Sequence, residues 1–162
     1  MLLLLSLASC GTPLTPPHCA KLMADQSIIE RCGGGRTDGI WKDAEDCYPL
    51  TKRERMNGIV IVDFERSEIF LGEAQFTPDM RRYTEGTWLD WSRASAESQA
   101  PRAIKYGAYR IVFDGRRSAC SKGAGTRNGY GHMSQYRDLA IVDDLISWKQ
   151  VTQLPDAFSN SQ

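Results

Sequence analysis

Three sets of residues in this sequence are of types that do chemistry: five cysteines, two histidines, and a run of cations set among glycines. The cysteines are Cys10, Cys19, Cys32, Cys47 and Cys120. His18 beside Cys19, with Cys32 and Cys47 following, supplies the imidazole and thiolate donors that zinc takes. The intervals of thirteen and fifteen residues between those cysteines are not a metal spacing, and no C-x2-C occurs. The reading is therefore disulfides, with no metal and no cofactor. Cys19, Cys32, Cys47 and Cys120 form an even set once Cys10 is assigned elsewhere, and four cysteines allow three pairings. Three of them lie close together while Cys120 stands alone. At least one bridge is thus expected to join the N-terminal region to the C-terminal half.

His132, in Gly129-Tyr130-Gly131-His132, has the chemistry of a general base, with Asp138, Asp143 or Asp144 as the group that would orient it. No serine elbow, no H-E-x-x-H and no paired carboxylate motif completes a site around it. The expectation is a hydrogen-bonded structural histidine and a chain that is not an enzyme; a small secreted enzyme using His132 is the alternative. Arg116, Arg117, Lys122 and Arg127 bring four cations to a glycine-rich stretch. Guanidinium forks and exposed backbone N–H groups suit carboxylates and phosphates. With Tyr130 and His132 beside them, these residues form a candidate anion- or glycan-binding set. Asp114 and Asp138 dilute it, and a solvated loop is the reading preferred. Gly33-Gly34-Gly35 lacks the following Gly-Lys-Ser/Thr of a phosphate loop and reads as a turn.

The N-terminus carries the most specific signal. Met1–Cys10 reads MLLLLSLASC. Its apolar run is too short to span a bilayer, which takes about 20 residues, and it has the small-residue exit of a secretory signal. Leu7-Ala8-Ser9-Cys10 resembles the lipobox of bacterial lipoprotein precursors. The resemblance covers those four residues. It implies a diacylglyceryl group on the Cys10 thiol, cleavage just before Cys10, and acylation, palmitate among the fatty acids, of the new amino terminus. No Lys or Arg precedes Cys10, although a signal peptide opens on one, so this reading puts the true start upstream of Met1. Gly11, where an Asp would retain a Gram-negative lipoprotein at the inner membrane, implies the periplasmic face of the outer membrane. A soluble secreted or periplasmic protein is the alternative.

The elements that must position these groups follow from composition and pattern. The 162 residues are 41% hydrophobic and 25% charged, with a formal net charge of +0. That size suits one domain, and neutrality gives no basic footprint for nucleic acid. The expected partners are a membrane, through the lipid, and an envelope protein or glycan. Residues 1–9 read as signal, 10–17 as lipid anchor and tether with three prolines in Gly11–Pro17, 18–154 as one β-rich domain, and 155–162 as a frayed tail.

Within the domain, His18–Arg31 reads as a helix and Thr37–Arg55 as a polar connector, with Trp41 and Tyr48 as packing points. Gly58–Gly72 reads as one long bent strand that Glu65-Arg66-Ser67 turns or bulges, Tyr83–Trp91 as a second, and Ala108–Phe113 as a third that stops at an Asp114-Gly115 turn. Ser92–Pro101 reads as a loop or short helix. Ser121–Met133, with four glycines in thirteen residues, is a loop. Leu139–Val142 and Leu145–Trp148 close the sheet as a pair or as one bent strand. Trp88 and Trp91, three apart in a strand, should face opposite sides. The fold expected is mainly β, a small antiparallel barrel or sandwich of OB type with one or two short helices.

Overall fold

Ile59-Val60-Ile61-Val62 is the strongest β-branched run in the chain, and it forms a strand of the barrel wall that is covered on both faces. A computed structural model describes residues 19, 44–63, 66–81, 86–101, 105–121, 130–131 and 135–153. In chain order the elements are α1 (Ala44–Cys47), β1 (Glu54–Asp63), β2 (Arg66–Leu71), a 3-10 turn (Pro78–Arg81), β3 (Thr87–Trp91), α2 (Arg93–Ser98), β4 (Gly107–Arg117) and β5 (Leu139–Gln153). The strands close into a barrel in the order β1-β2-β3-β5-β4. All pairs are antiparallel except β3 with β5, which run parallel from Trp88↔Leu139 to Trp91↔Val142. This strand order, with a helix between β3 and β4, is the OB-type barrel. Closure gives each of the five described strands a neighbour on both sides.

β1 is buried on both faces from Gly58 to Ile61. One face, Met56 and Val60, joins Ile69, Leu89, Ile111, Phe113, Ala140 and Val142 inside the barrel. The other face, Ile59 and Ile61, is covered by Met80 with Phe70, Phe76 and Tyr106, so the connection after β2 folds back over the barrel wall. A continuous apolar run, rather than alternation, is what a strand buried on both faces requires.

Two expectations about strand ends are corrected. Gly58–Gly72 is two strands of a hairpin, not one bent strand: β1 pairs with β2 from Gly58↔Leu71 to Asp63↔Arg66. The polar break between the two apolar runs is where the chain reverses, because only reversal returns Ile69 to the interior opposite Val60. Asp114-Gly115 does not end β4, which runs on to Arg117. A Cβ at position 115 would lie 2.1 Å from the Ile141 carbonyl oxygen. Glycine there permits close approach of two backbones at a barrel corner, a use of strand glycine distinct from a turn.

The closing segment is one bent strand. Three register shifts in the β4–β5 ladder leave Asp143, Ile146 and Val151 as extra residues on β5. Bulges of this kind bend a strand and re-aim side chains, and the exposed apolar residues Ile146 and Val151 are two of the three. Ser92–Pro101 contains α2, whose N-cap Ser92 accepts the Ser95 N–H. The Ser95 hydroxyl donates to the Val142 carbonyl, which sets α2 against β5. Trp88 and Trp91 do face opposite sides. Trp91 reaches the inner cluster, 6.1 Å from Trp148 between ring centroids. Trp88 packs outside with Tyr136 at 5.1 Å. The expected helix over His18–Arg31 apart from Cys19, the Gly33–Gly35 turn, Trp41 and nearly all of the Ser121–Met133 loop lie outside the described residues.

Candidate functional site

Arg116 is the predicted site residue whose surroundings are most fully defined. β4 alternation points it outward next to Gly115, and the Asp143 bulge turns a carboxylate toward it. Arg116 Nε donates to Asp143 Oδ2 at 2.8 Å, and its Nη2 donates to Asp143 Oδ1 and, at 2.9 Å, to Glu45 Oε2. Glu45, on α1, also accepts the Arg93 backbone N–H at 3.0 Å, and the Arg93 guanidinium reaches Asp46 at 3.1 Å. One seam of charges therefore holds α1 and the start of α2 to the β4–β5 corner. The Arg93 N–H, and then Arg116, hold the Glu45 carboxyl below its usual range against the opposing effect of burial. Asp143, and then Glu45, raise Arg116 further above its already high value.

Beside this seam lies an open cleft of about 430 Å³ lined by Glu45, Arg53, Ser92, Ala94, Arg116 and Asp143. Its two arginines face two carboxylates. Arg116 is committed to both acids. Arg53, half exposed, lies 3.5 Å from Asp144 and 3.9 Å from Asp114. Those two acids have closer partners, Gln99 at 2.9 Å and Arg55 respectively. An incoming anion would meet Arg53 readily and would have to displace carboxylates to reach Arg116. Arg117 is exposed on the opposite face of β4 and donates to Glu54 at 2.8 Å, a surface pair of small energetic weight.

The cysteines and Tyr130 occupy a second region. Cys19 and Cys120 are joined by a disulfide with Cα atoms 5.5 Å apart. Cys47 is disulfide-bonded as well. Tyr130, only 1% exposed, donates its hydroxyl to the Cys120 carbonyl at 2.8 Å and meets Tyr48 edge-on at 4.8 Å. Burial pushes the Tyr130 hydroxyl well above the usual phenol range and that of Tyr136 up to about 12. Tyr130 thus packs beneath the disulfide and does not line the cleft. Gly131, at φ +69°, lies on the Trp88 ring, where a Cβ would come within 2.3 Å.

A third feature, a buried ion pair on β2, was not among the expected sites. Glu68 on β2 is 0% exposed. It accepts Arg66 Nε and the Gly86 N–H, each at 2.6 Å, and Arg66 Nη2 donates to the Met80 carbonyl at 2.7 Å. Burial raises the Glu68 carboxyl above its usual range, and the Arg66 charge only partly offsets this. Glu68 lies opposite Trp88 on the outer β2–β3 face, the face that OB-type barrels offer to oligonucleotides and oligosaccharides. Here the chain's own Gly86, Gly131 and Tyr136 cover that face. The signal available in the sequence was the Arg66-x-Glu68 spacing, which puts both side chains on one face of a strand.

Cys10, Cys32, Lys122, Arg127 and His132 lie outside the described residues. Among the described residues, no group of three or more His, Cys, Asp or Glu side chains is placed to hold a metal, and no helix is long and apolar enough to cross a membrane. Comparison with family models, with curated proteins and with solved structures finds no match.

Proposed function

We propose that the chain is an envelope lipoprotein, anchored through acyl chains on Cys10, whose barrel is a non-enzymatic binding or structural module. The observation that carries this reading is the Cys19–Cys120 disulfide. A bridge of this kind persists in an oxidising compartment, the destination that the Leu7–Cys10 lipobox resemblance implies. The bonded state of Cys47 adds support. With Cys19 and Cys120 joined to each other, its partner is Cys32 or Cys10. We assign Cys32, which leaves Cys10 as the one thiol available for lipid. In a Gram-negative cell, Gly11 directs the protein to the periplasmic face of the outer membrane.

Metabolic labelling with radioactive palmitate tests the anchor. Wild type should carry label and Cys10→Ala none; unlabelled wild type, or equal label on both, would remove the reading. A second reading, an anionic-glycan site at the cleft, is favoured by Arg53 alone, whose acidic neighbours are distant and otherwise engaged. It expects binding of an acidic polysaccharide at low ionic strength that weakens on Arg53→Ala, and no binding by wild type would rule it out.

A further inference from the structure

We infer that the Cys19–Cys120 disulfide fixes which end of the barrel faces the membrane: the end bearing Arg117 and Leu139 lies toward the bilayer, and the β1–β2 hairpin projects away. The inference rests on the Cys10 anchor proposed above. Cys19 follows Cys10 by nine positions, with eight residues between them, so a fully extended tether spans at most about 30 Å. Its prolines favour a polyproline II form nearly that long and semi-rigid.

Without the bridge, the next described attachment to the barrel is α1 at Ala44, and an extended chain from Cys10 to that point reaches about 110 Å. A Cys32–Cys47 bond alone would leave about 70 Å. The Cys19–Cys120 bond is therefore the attachment that makes the leash short.

It also lands at one end. Cys120 follows the last residue of β4 by three positions. That end gathers the start of β5, through the Ser118 N–H donating to the Leu139 carbonyl at 2.8 Å, and the approach to β1, through the Thr51 N–H donating to the Arg117 carbonyl at 2.8 Å. Tyr48 and Tyr130 pack there too. The other end carries the Asp63↔Arg66 hairpin, the start of β4 at Gly107, and the end of β5 at Gln153. The eleven residues of β4 place the two ends about 30 Å apart along the strand. A leash no longer than the barrel cannot bring the far end to the bilayer unless it lies taut along the whole wall. The near end is therefore held down, and a partner in the envelope space meets the hairpin end.

Energy transfer to a labelled bilayer tests this. The full lipidated protein is placed in phosphatidylethanolamine/phosphatidylglycerol vesicles carrying an acceptor-labelled headgroup. A donor dye is attached through a genetically encoded azido amino acid at Arg137 or at Gln153, exposed positions near opposite ends. Transfer should be about twofold or more greater from position 137, given ends about 30 Å apart. A flexible Gly/Ser insertion after Pro17, long enough to exceed the barrel, leaves the folded residues untouched and should abolish the difference. Equal transfer from the two positions in the uninserted protein, or a difference that survives the insertion, would overturn the orientation. Intact mass of the same sample reports the acyl chains. If they are missing, the anchor itself fails; if they are present with equal transfer, only the orientation does.

Discussion

Two arginine–carboxylate groups on the outer wall of this barrel use the same chemistry and respond oppositely to it. At the β4–β5 corner, Arg116 meets Asp143 and Glu45 at a half-exposed cleft, and Glu45 titrates below its usual range. On the β2–β3 face, Arg66 meets Glu68 under a cover of chain, and Glu68 titrates above its usual range. The difference is solvent. Where water still reaches the pair, attraction and hydrogen bonds to the charged form win. Where it is shut out, the desolvation of the carboxylate exceeds what one guanidinium returns. The first group is a fastening between elements, open to exchange with outside ions. The second is sealed, so its value lies in fixing the β2–β3 connection to the wall through Met80 and Gly86.

Breaking the sealed group should give the largest effect. Arg66→Ala strands the Glu68 charge, and loss of one partner of a buried pair costs about 3–5 kcal/mol. The sign with pH is set by Glu68, whose folded pKa lies above its unfolded value. Its contribution is most favourable at low pH and is lost as pH rises. The deficit of Arg66→Ala in urea unfolding should therefore be greatest at neutral pH and shrink toward pH 4. A deficit independent of pH would mean that the charge on Glu68 is not what Arg66 compensates. Gly86→Ala should cost less, about 1–3 kcal/mol as for overpacking, because the new Cβ would lie 2.5 Å from the Glu68 carboxylate. A neutral result would show that the cover over Glu68 yields easily. Arg116→Ala should cost about 1–2 kcal/mol, between exposed pairs and buried hydrogen bonds to charge. A loss as large as that of Arg66→Ala would erase the contrast between the two groups.

The sequence displays one half of this comparison better than the other. Arg116 stands out beside a glycine-rich stretch and reads as a cation in search of an anion. Its partners are Asp143, 27 residues away on a bulge, and Glu45, 71 residues away on α1. Neither distance nor bulge leaves a local trace, so the pattern left a solvated loop as the preferred reading and an anion site as the alternative, where the fold supplies its own carboxylates. The core strands were legible because β-branched runs and the Trp88/Trp91 spacing are local. Where β1 reverses and whether Asp114-Gly115 turns are decided by which strand lies alongside, and composition is silent on that. Arg66-Ser67-Glu68 is polar in sequence and opens β2. It also contains the buried pair, because the connection after β2 folds over residues that alternation alone would leave in water.

The smallest effect separates the two groups most cleanly. Glu45 has a folded pKa below its unfolded value of 4.5. The stability it contributes is complete above about pH 4.5 and is lost as pH falls through the folded pKa. Glu45→Gln keeps much of the shape and removes the charge, so at neutral pH it should lower stability by up to about 1 kcal/mol, as a partly exposed pair does. On acidification the wild-type and Glu45→Gln unfolding curves should converge, because the wild-type carboxyl becomes neutral too. This is the reverse of Glu68, whose protonation relieves a cost. Convergence at low pH for Glu45, together with recovery at low pH for Arg66→Ala, is the pair of results that burial alone requires. Parallel curves for wild type and Glu45→Gln from neutral pH down to about pH 3 would mean that α1 is held to the corner by packing of Tyr48 and Leu50, and that the charges at the cleft merely accompany it.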